Sequence, residues 1–105
     1  MRIIALKTLK DYLAAYPKAE QSLLSWHEEV ESASWNSPNE LKEQYHNASV
    51  LNNKRVIFNI HGNTYQLIVD IEFRLKIVFI VWFAPHEAYD KIDAKKIGYD
   101  RSNKK

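Results

Sequence analysis

The 105-residue chain contains no cysteine, only two glycines and only three prolines. Disulfides and thiolate chemistry are therefore excluded. It has no phosphate-binding glycine loop, no nucleophile-elbow serine and no paired metal-ligand spacing. Its four histidines, His27, His46, His61 and His86, are widely separated, so no metal and no cofactor are expected. Long apolar runs are missing too: the longest, Ile77 to Pro85, is far shorter than a bilayer requires, and no membrane partner is expected. No secretory leader is visible, so the expected location is cytoplasmic. Neither an internal repeat nor a domain linker appears.

What is present reads as globular. Hydrophobic residues make up 46% and charged residues 27% of a length that suits one core. The expectation is a single domain over residues 1–97, followed by a basic flexible tail at 98–105. The formal charge of +2 is unevenly spread, with +3 over residues 1–10, −5 over 11–45, zero over 46–90 and +4 over 91–105. Such a distribution would set a basic face beside the sheet and suit a phosphate-bearing partner. A solvated surface with a loose basic tail accounts for it equally well.

The organising stretch is Arg55 to Asp93. Gly62-Asn63 is a two-residue hairpin signal, because both residues tolerate the positive φ of the primed turns. Taking them as the loop sets Ile60 opposite Tyr65, Phe58 opposite Leu67 and Val56 opposite Val69, all apolar pairs on one face. The other face then carries Ile57, Asn59 and His61 against Ile68, Gln66 and Thr64. A third strand, Ile77 to Phe83, is apolar throughout, as a strand covered on both faces would be. The turn before it has no glycine, which leaves its length and register open.

Arg2 to Ala5 reads as an edge strand. Thr8-Leu9-Lys10-Asp11 resembles a capping box, with Leu9, Tyr12, Leu13 and Tyr16 on one helical face up to Pro17. A second helix follows, with Leu23, Trp26, Val30 and Ala33 inward, and Ser37-Pro38-Asn39-Glu40 starts a third. Residues 47–54 read as a loop, and Trp35 as the aromatic residue least committed to the core. The fold class predicted is α+β: an N-terminal helical hairpin packed on an antiparallel sheet of three or four strands.

Cleaving RNA without a metal requires a group to take the ribose 2′-hydroxyl proton, a cation to steady the phosphate and an acid for the leaving oxygen. His86, Tyr89, Arg55, Lys54, His61 and Lys91 supply those types, and Asn59 and Gln66 could contact a base. His86 stands where a strand ends, and a histidine exchanges protons near neutrality. Each residue also has a plainer role, as turn holder, packed ring or strand-end charge. The residues alone reach only as far as an α+β domain with a polyanion-binding face.

Arg55-Val-Ile-Phe-Asn-Ile, Gly62-Asn63 with Tyr65, Leu67, Ile68 and Val69, and His86 followed by Tyr89-Asp90-Lys91-Ile92-Asp93 together resemble the HigB-type toxins of bacterial toxin–antitoxin modules, within the RelE/ParE-like superfamily. The opening Met1 to Ala5, the helical hairpin with Trp26, and Leu41-Lys42-x-Gln44-Tyr45 also resemble it. The resemblance implies a RelE-like fold and a metal-independent endoribonuclease that cuts translated messenger RNA on the ribosome and arrests growth. It implies a helix-turn-helix antitoxin as partner, with operator DNA bound only through that antitoxin. Arg55, His86 and Tyr89 take the catalytic positions, and Lys54, Asn59, His61, Gln66 and Lys91 the RNA-binding ones. Two alternatives stand beside this reading: a toxin of the same fold that poisons a protein such as DNA gyrase, and a non-catalytic antitoxin-binding module. Many relatives have arginine where this chain has Gln66 and Val81, and threonine where it has Pro85. Loss of two such cations is expected to weaken RNA binding or cleavage.

Overall fold

In the computed structural model, which describes residues 1–4 and 6–98, apolar alternation around Gly62-Asn63 produces the pairing it predicts. β3 (Arg55–Ile60) and β4 (Tyr65–Glu72) are antiparallel, with Val56 opposite Val69, Phe58 opposite Leu67 and Ile60 opposite Tyr65. The Thr64 N–H donates to the His61 carbonyl at 3.2 Å inside a four-residue connection, 61–64, so the predicted His61–Thr64 pair does not form. Positive φ falls on His61 (57°) and Gly62 (67°), one residue earlier than the Gly62-Asn63 signal implies.

β5 (Ile77–Pro85) pairs antiparallel with β4 and runs two residues beyond the predicted end. The glycine-free turn before it spans residues 73–76, with the Lys76 N–H donating to the Phe73 carbonyl at 3.3 Å and Lys76 at φ 60°. A left-handed lysine costs roughly 1–2 kcal/mol. Its ammonium offsets that cost by donating to the Trp35 carbonyl at 3.1 Å and to the side-chain oxygen of Asn36.

Two short edge strands complete the sheet. β1 (Arg2–Ile4) lies parallel to β5, and β2 (Ser49–Leu51) antiparallel to β3, giving the order β1-β5-β4-β3-β2. The sheet is therefore mixed and five-stranded, where the sequence predicted three or four antiparallel strands. β2 sits inside the stretch read as a loop. Three residues are too few to show alternation, but the turn after them is a primed hairpin, with Asn52 at φ 57° and Asn53 at φ 65°.

The helical layer covers one face. α1 (Leu6–Ala15) begins two residues ahead of the expected Thr8 cap, and the Thr8 side chain lies outside the described residues. A 3₁₀ turn at Pro17–Ala19 leads into α2 (Glu20–Ser32). Leu9 and Tyr12 of α1 and Leu23, Trp26 and Val30 of α2 are buried with Phe58, Leu67 and Phe83 of the sheet. Each such fully buried large side chain contributes roughly 1.5–3 kcal/mol. α3 (Pro38–Gln44) starts at Ser37, whose hydroxyl accepts from the Glu40 N–H at 3.4 Å. The Glu40 carboxylate reaches back to the Asn36 N–H at 2.7 Å, one residue further than a capping box predicts. Trp35, expected outside the core, is buried: α3 folds over it, and its indole N–H donates to Gln44 at 3.1 Å.

The opposite face is built by a bulge and by the end of the chain. Ile68 faces Trp82 and Val69 faces Ile80, which leaves Val81 as an extra residue on β5. Val81 and Trp82 therefore both join the apolar patch on this second face, while Phe83 returns to the helical side. After α4 (His86–Tyr89) the chain folds back, and Tyr89, Ile92, Ala94 and Ile97 pack against Ile57, Ile68 and Val81. Of the predicted tail, residues 99–105 lie outside the described residues. Among the described residues no helix is long and apolar enough to cross a membrane.

Candidate functional site at the narrow end of the sheet

On the second face β3 and β4 present three successive cross-strand pairs: Arg55 with Asp70, Ile57 with Ile68, and Asn59 with Gln66. One is charged, one apolar and one neutral but polar. The returning chain covers the first two. His86 meets the third.

β2 pairs with β3 only as far as Ser49–Ile57, and β1 with β5 only as far as Ile4–Phe79, so the sheet narrows to three strands towards the hairpin tip. Pro85 ends β5 there and serves as the residue before α4, a place where its missing N–H costs no ladder bond. The His86 N–H donates to the Thr64 carbonyl at 2.9 Å, and the His86 carbonyl accepts from the Asp90 N–H at 3.1 Å. Both ends of the histidine backbone are thus tied. Its Nδ1 lies 3.1 Å from Gln66 Oε1, and its Nε2 lies 3.4 Å from Asp90 Oδ2. Gln66 is buried, and its Nε2 donates to Asn59 Oδ1 at 2.9 Å and to Asn63 Oδ1 at 2.8 Å. The Tyr89 ring stacks on His86 with centroids 6.3 Å apart, and lies equally far from Trp82. The His86 side chain is 45% exposed, so a group held on the protein side still reaches solvent. A proton-exchanging ring beside a phenol, on a rigid strand end, has the parts needed for acid–base chemistry.

Arg55 is placed elsewhere. Four residues of β3 separate it from Asn59, roughly 13 Å along the strand. Its Nε and Nη2 donate to the two Asp70 carboxylate oxygens at 2.7 and 2.8 Å. Its Nη1 donates to the Ala94 carbonyl at 3.2 Å and to that of Ile97. The guanidinium thus clamps the returning chain to the sheet, a bidentate pairing with its donors turned inward. Lys54 is exposed at the same end, in the turn before β3, where it lines a small hollow with Arg55, Asp70 and Lys95. His61 also leaves the cluster, because its positive φ swings the ring to the helical side. There its Nδ1 lies 3.3 Å from the Ser22 hydroxyl, beside a groove of about 570 Å³ lined by Trp26, Glu29 and Tyr45. Tyr45 donates to Glu29, and burial first, then that hydrogen bond and the Glu29 charge, push its phenol well above the ordinary value of 10. Lys91 is exposed just past α4.

Of the eight residues singled out in the sequence, then, His86, Tyr89, Asn59 and Gln66 come together, with Lys91 close along the chain. Arg55, Lys54 and His61 do not join them. Asn63, Asp70 and Asp90 were missed as partners. Asp90 follows His86 by one helical turn, and the predicted register already placed Asp70 opposite Arg55, so both were readable. Val81 is fully buried under the returning chain, where an unpaired charge would be costly. Among the described residues no group of three histidine, aspartate or glutamate side chains converges to hold a metal ion.

A helical layer on a small mixed sheet is the α+β architecture that the resemblance to RelE-like toxins implies. The HigB_toxin family, described as the RelE-like toxic component of a toxin–antitoxin system, matches residues 19–92, and the chain belongs to it. The match spans the three cross-strand pairs and α4 but stops short of Ala94 and Ile97, the two carbonyls held by Arg55. No curated protein matches the chain.

Proposed function

We propose that this toxin is a metal-independent endoribonuclease that cuts translated messenger RNA on the ribosome and so arrests growth. The observation that carries this reading is His86, half exposed at a strand end, with one ring nitrogen against Gln66, the other facing Asp90, and Tyr89 stacked beside it. In the proposed reaction a basic group takes the 2′-hydroxyl proton of the ribose, whose oxygen attacks the adjacent phosphorus. The bond to the 5′-oxygen breaks, and that oxygen receives a proton, leaving a cyclic phosphate and a 5′-hydroxyl. His86 and Tyr89 are the proton-exchanging pair, Lys91 steadies the phosphate, and Asn59 contacts the nucleotide. Arg55, read from sequence as catalytic, acts instead by holding the returning chain that carries Tyr89.

The working unit is a single domain over residues 1–97 with a basic tail at 98–105. The protein is cytoplasmic, where translated messages are, and its antitoxin is of the helix-turn-helix type and supplies the contact to operator DNA. The test is to map messenger 5′ ends after brief induction of wild type and His86→Ala, on ribosomes and on naked RNA. New ends at defined codon positions that need ribosomes and vanish in the variant support the reading. Growth arrest without new ends points to a poisoned protein target, and no arrest at all to a binding module.

A further inference from the structure

A buried, neutral side chain whose polar atoms are all engaged beside a half-exposed histidine needs an explanation. Gln66 is 3% exposed on the strand between β3 and β5, and all its amide contacts are to groups around His86. A primary amide has two N–H donors and one oxygen. Both donors are held by oxygens that can only accept, Asn59 Oδ1 and Asn63 Oδ1. With both donors so placed, its oxygen is the atom presented to His86 Nδ1 at 3.1 Å. An amide oxygen cannot donate, so the ring must carry a proton on Nδ1 to make this bond.

We propose that Gln66 is a positioning residue that fixes the tautomer of His86, keeping a proton on Nδ1 and reserving Nε2 for exchange with substrate. The proposal deepens the reading of His86 as the proton-exchanging group and rests on it. Ring rotation is disfavoured, because a flip would take Nδ1 away from Gln66 Oε1 and Nε2 away from Asp90 Oδ2 together. Nε2 then takes the proton, and Asp90 Oδ2, 3.4 Å away, faces the imidazolium that results. Without Gln66 the neutral ring has no neighbour to hold it in this form, and the Asp90 carboxylate draws the proton to Nε2.

The test uses protein carrying nitrogen-15 histidine, with nitrogen–proton correlation spectra of the wild type and of Gln66→Leu and Gln66→Glu. His86→Gln assigns the resonance. The neutral wild-type ring is expected to carry its proton on Nδ1. Gln66→Leu moves it to Nε2 and lowers message cleavage about 10- to 100-fold, within the range a positioned acid or base contributes. Gln66→Glu keeps the Nδ1 proton, since its carboxylate accepts while Asn59 and Asn63 rotate to donate, and it retains most of the activity. A neutral wild-type ring protonated on Nε2, or a tautomer that Gln66→Leu leaves unchanged, overturns the proposal. If Gln66→Leu fails to fold, the wild-type spectrum alone decides. An Nδ1 proton in a protein that cuts no RNA overturns the nuclease reading and leaves the tautomer assignment standing.

Discussion

The two ends of the second sheet face use the same pair of strands for opposite purposes. At one end Arg55 and Asp70 are largely buried, with side chains 12% and 13% exposed, and the arginine also ties down the last described turn of chain. At the other, Asn59, Gln66 and His86 carry no fixed charge, and the histidine stays open to solvent. The difference teaches where chemistry can reside. A charge held by buried hydrogen bonds inside the protein holds structure together, whereas a titratable ring that is half exposed still has a side to offer. Between them the apolar pair Ile57–Ile68, sealed by Val81 and the returning chain, keeps the two ends apart.

The sharpest way to break this contrast is at the open end. His86→Ala is expected to lower message cleavage by about 10²- to 10⁴-fold, while thermal melting moves little because the side chain is half exposed. Loss of both activity and fold would place His86 with the structural residues. Tyr89→Phe keeps the ring between His86 and Trp82 and removes only the hydroxyl. A drop of about 10- to 100-fold in single-turnover cleavage is expected if that hydroxyl exchanges a proton, and unchanged cleavage would reduce Tyr89 to packing.

At the clamped end the readout is stability. Arg55→Ala leaves Asp70 buried without its partner and should cost about 3 kcal/mol, measured by denaturant unfolding. Asp70→Leu combined with Arg55→Met should recover part of that loss, because paired removal leaves no orphaned charge. An Arg55→Ala protein of wild-type stability that no longer cuts RNA would return Arg55 to the catalytic set. The smallest effect concerns Tyr45, on neither end. Its phenol is raised in the folded protein, so the unfolded chain gives up that proton first as pH rises. Its contribution is fully present below pH 10 and is lost above it, and Tyr45→Phe should flatten that alkaline decline in melting temperature.

Much of the fold was legible because β3 and β4 carry matched apolar pairs on one face around a short turn. Their register, correct from Val56–Val69 to Ile60–Tyr65 but not at His61–Thr64, also fixed which of the paired residues share the second face. Short elements were not legible: β2 is three residues long, and the bulge at Val81 leaves no mark in a strand that is apolar throughout. In the site, residue types identified His86 and Tyr89 as neighbours, since one helical turn joins them. The same reasoning gathered Arg55 and His61 with them wrongly, for two physical reasons. Strand length separates Arg55, and a single positive φ at the turn sends His61 to the other layer.

The parallel pairing of β1 with β5 has a consequence in time. Arg2 lies opposite Ile77, so the sheet acquires its first strand only when its last has been made. At about 10 residues per second, synthesis alone separates the two by several seconds, and distant pairings of this kind then close slowly. Throughout that interval the N-terminal helical segments have no finished sheet to pack against. A toxin built this way has no finished sheet while it is being made, and its antitoxin has that long to arrive.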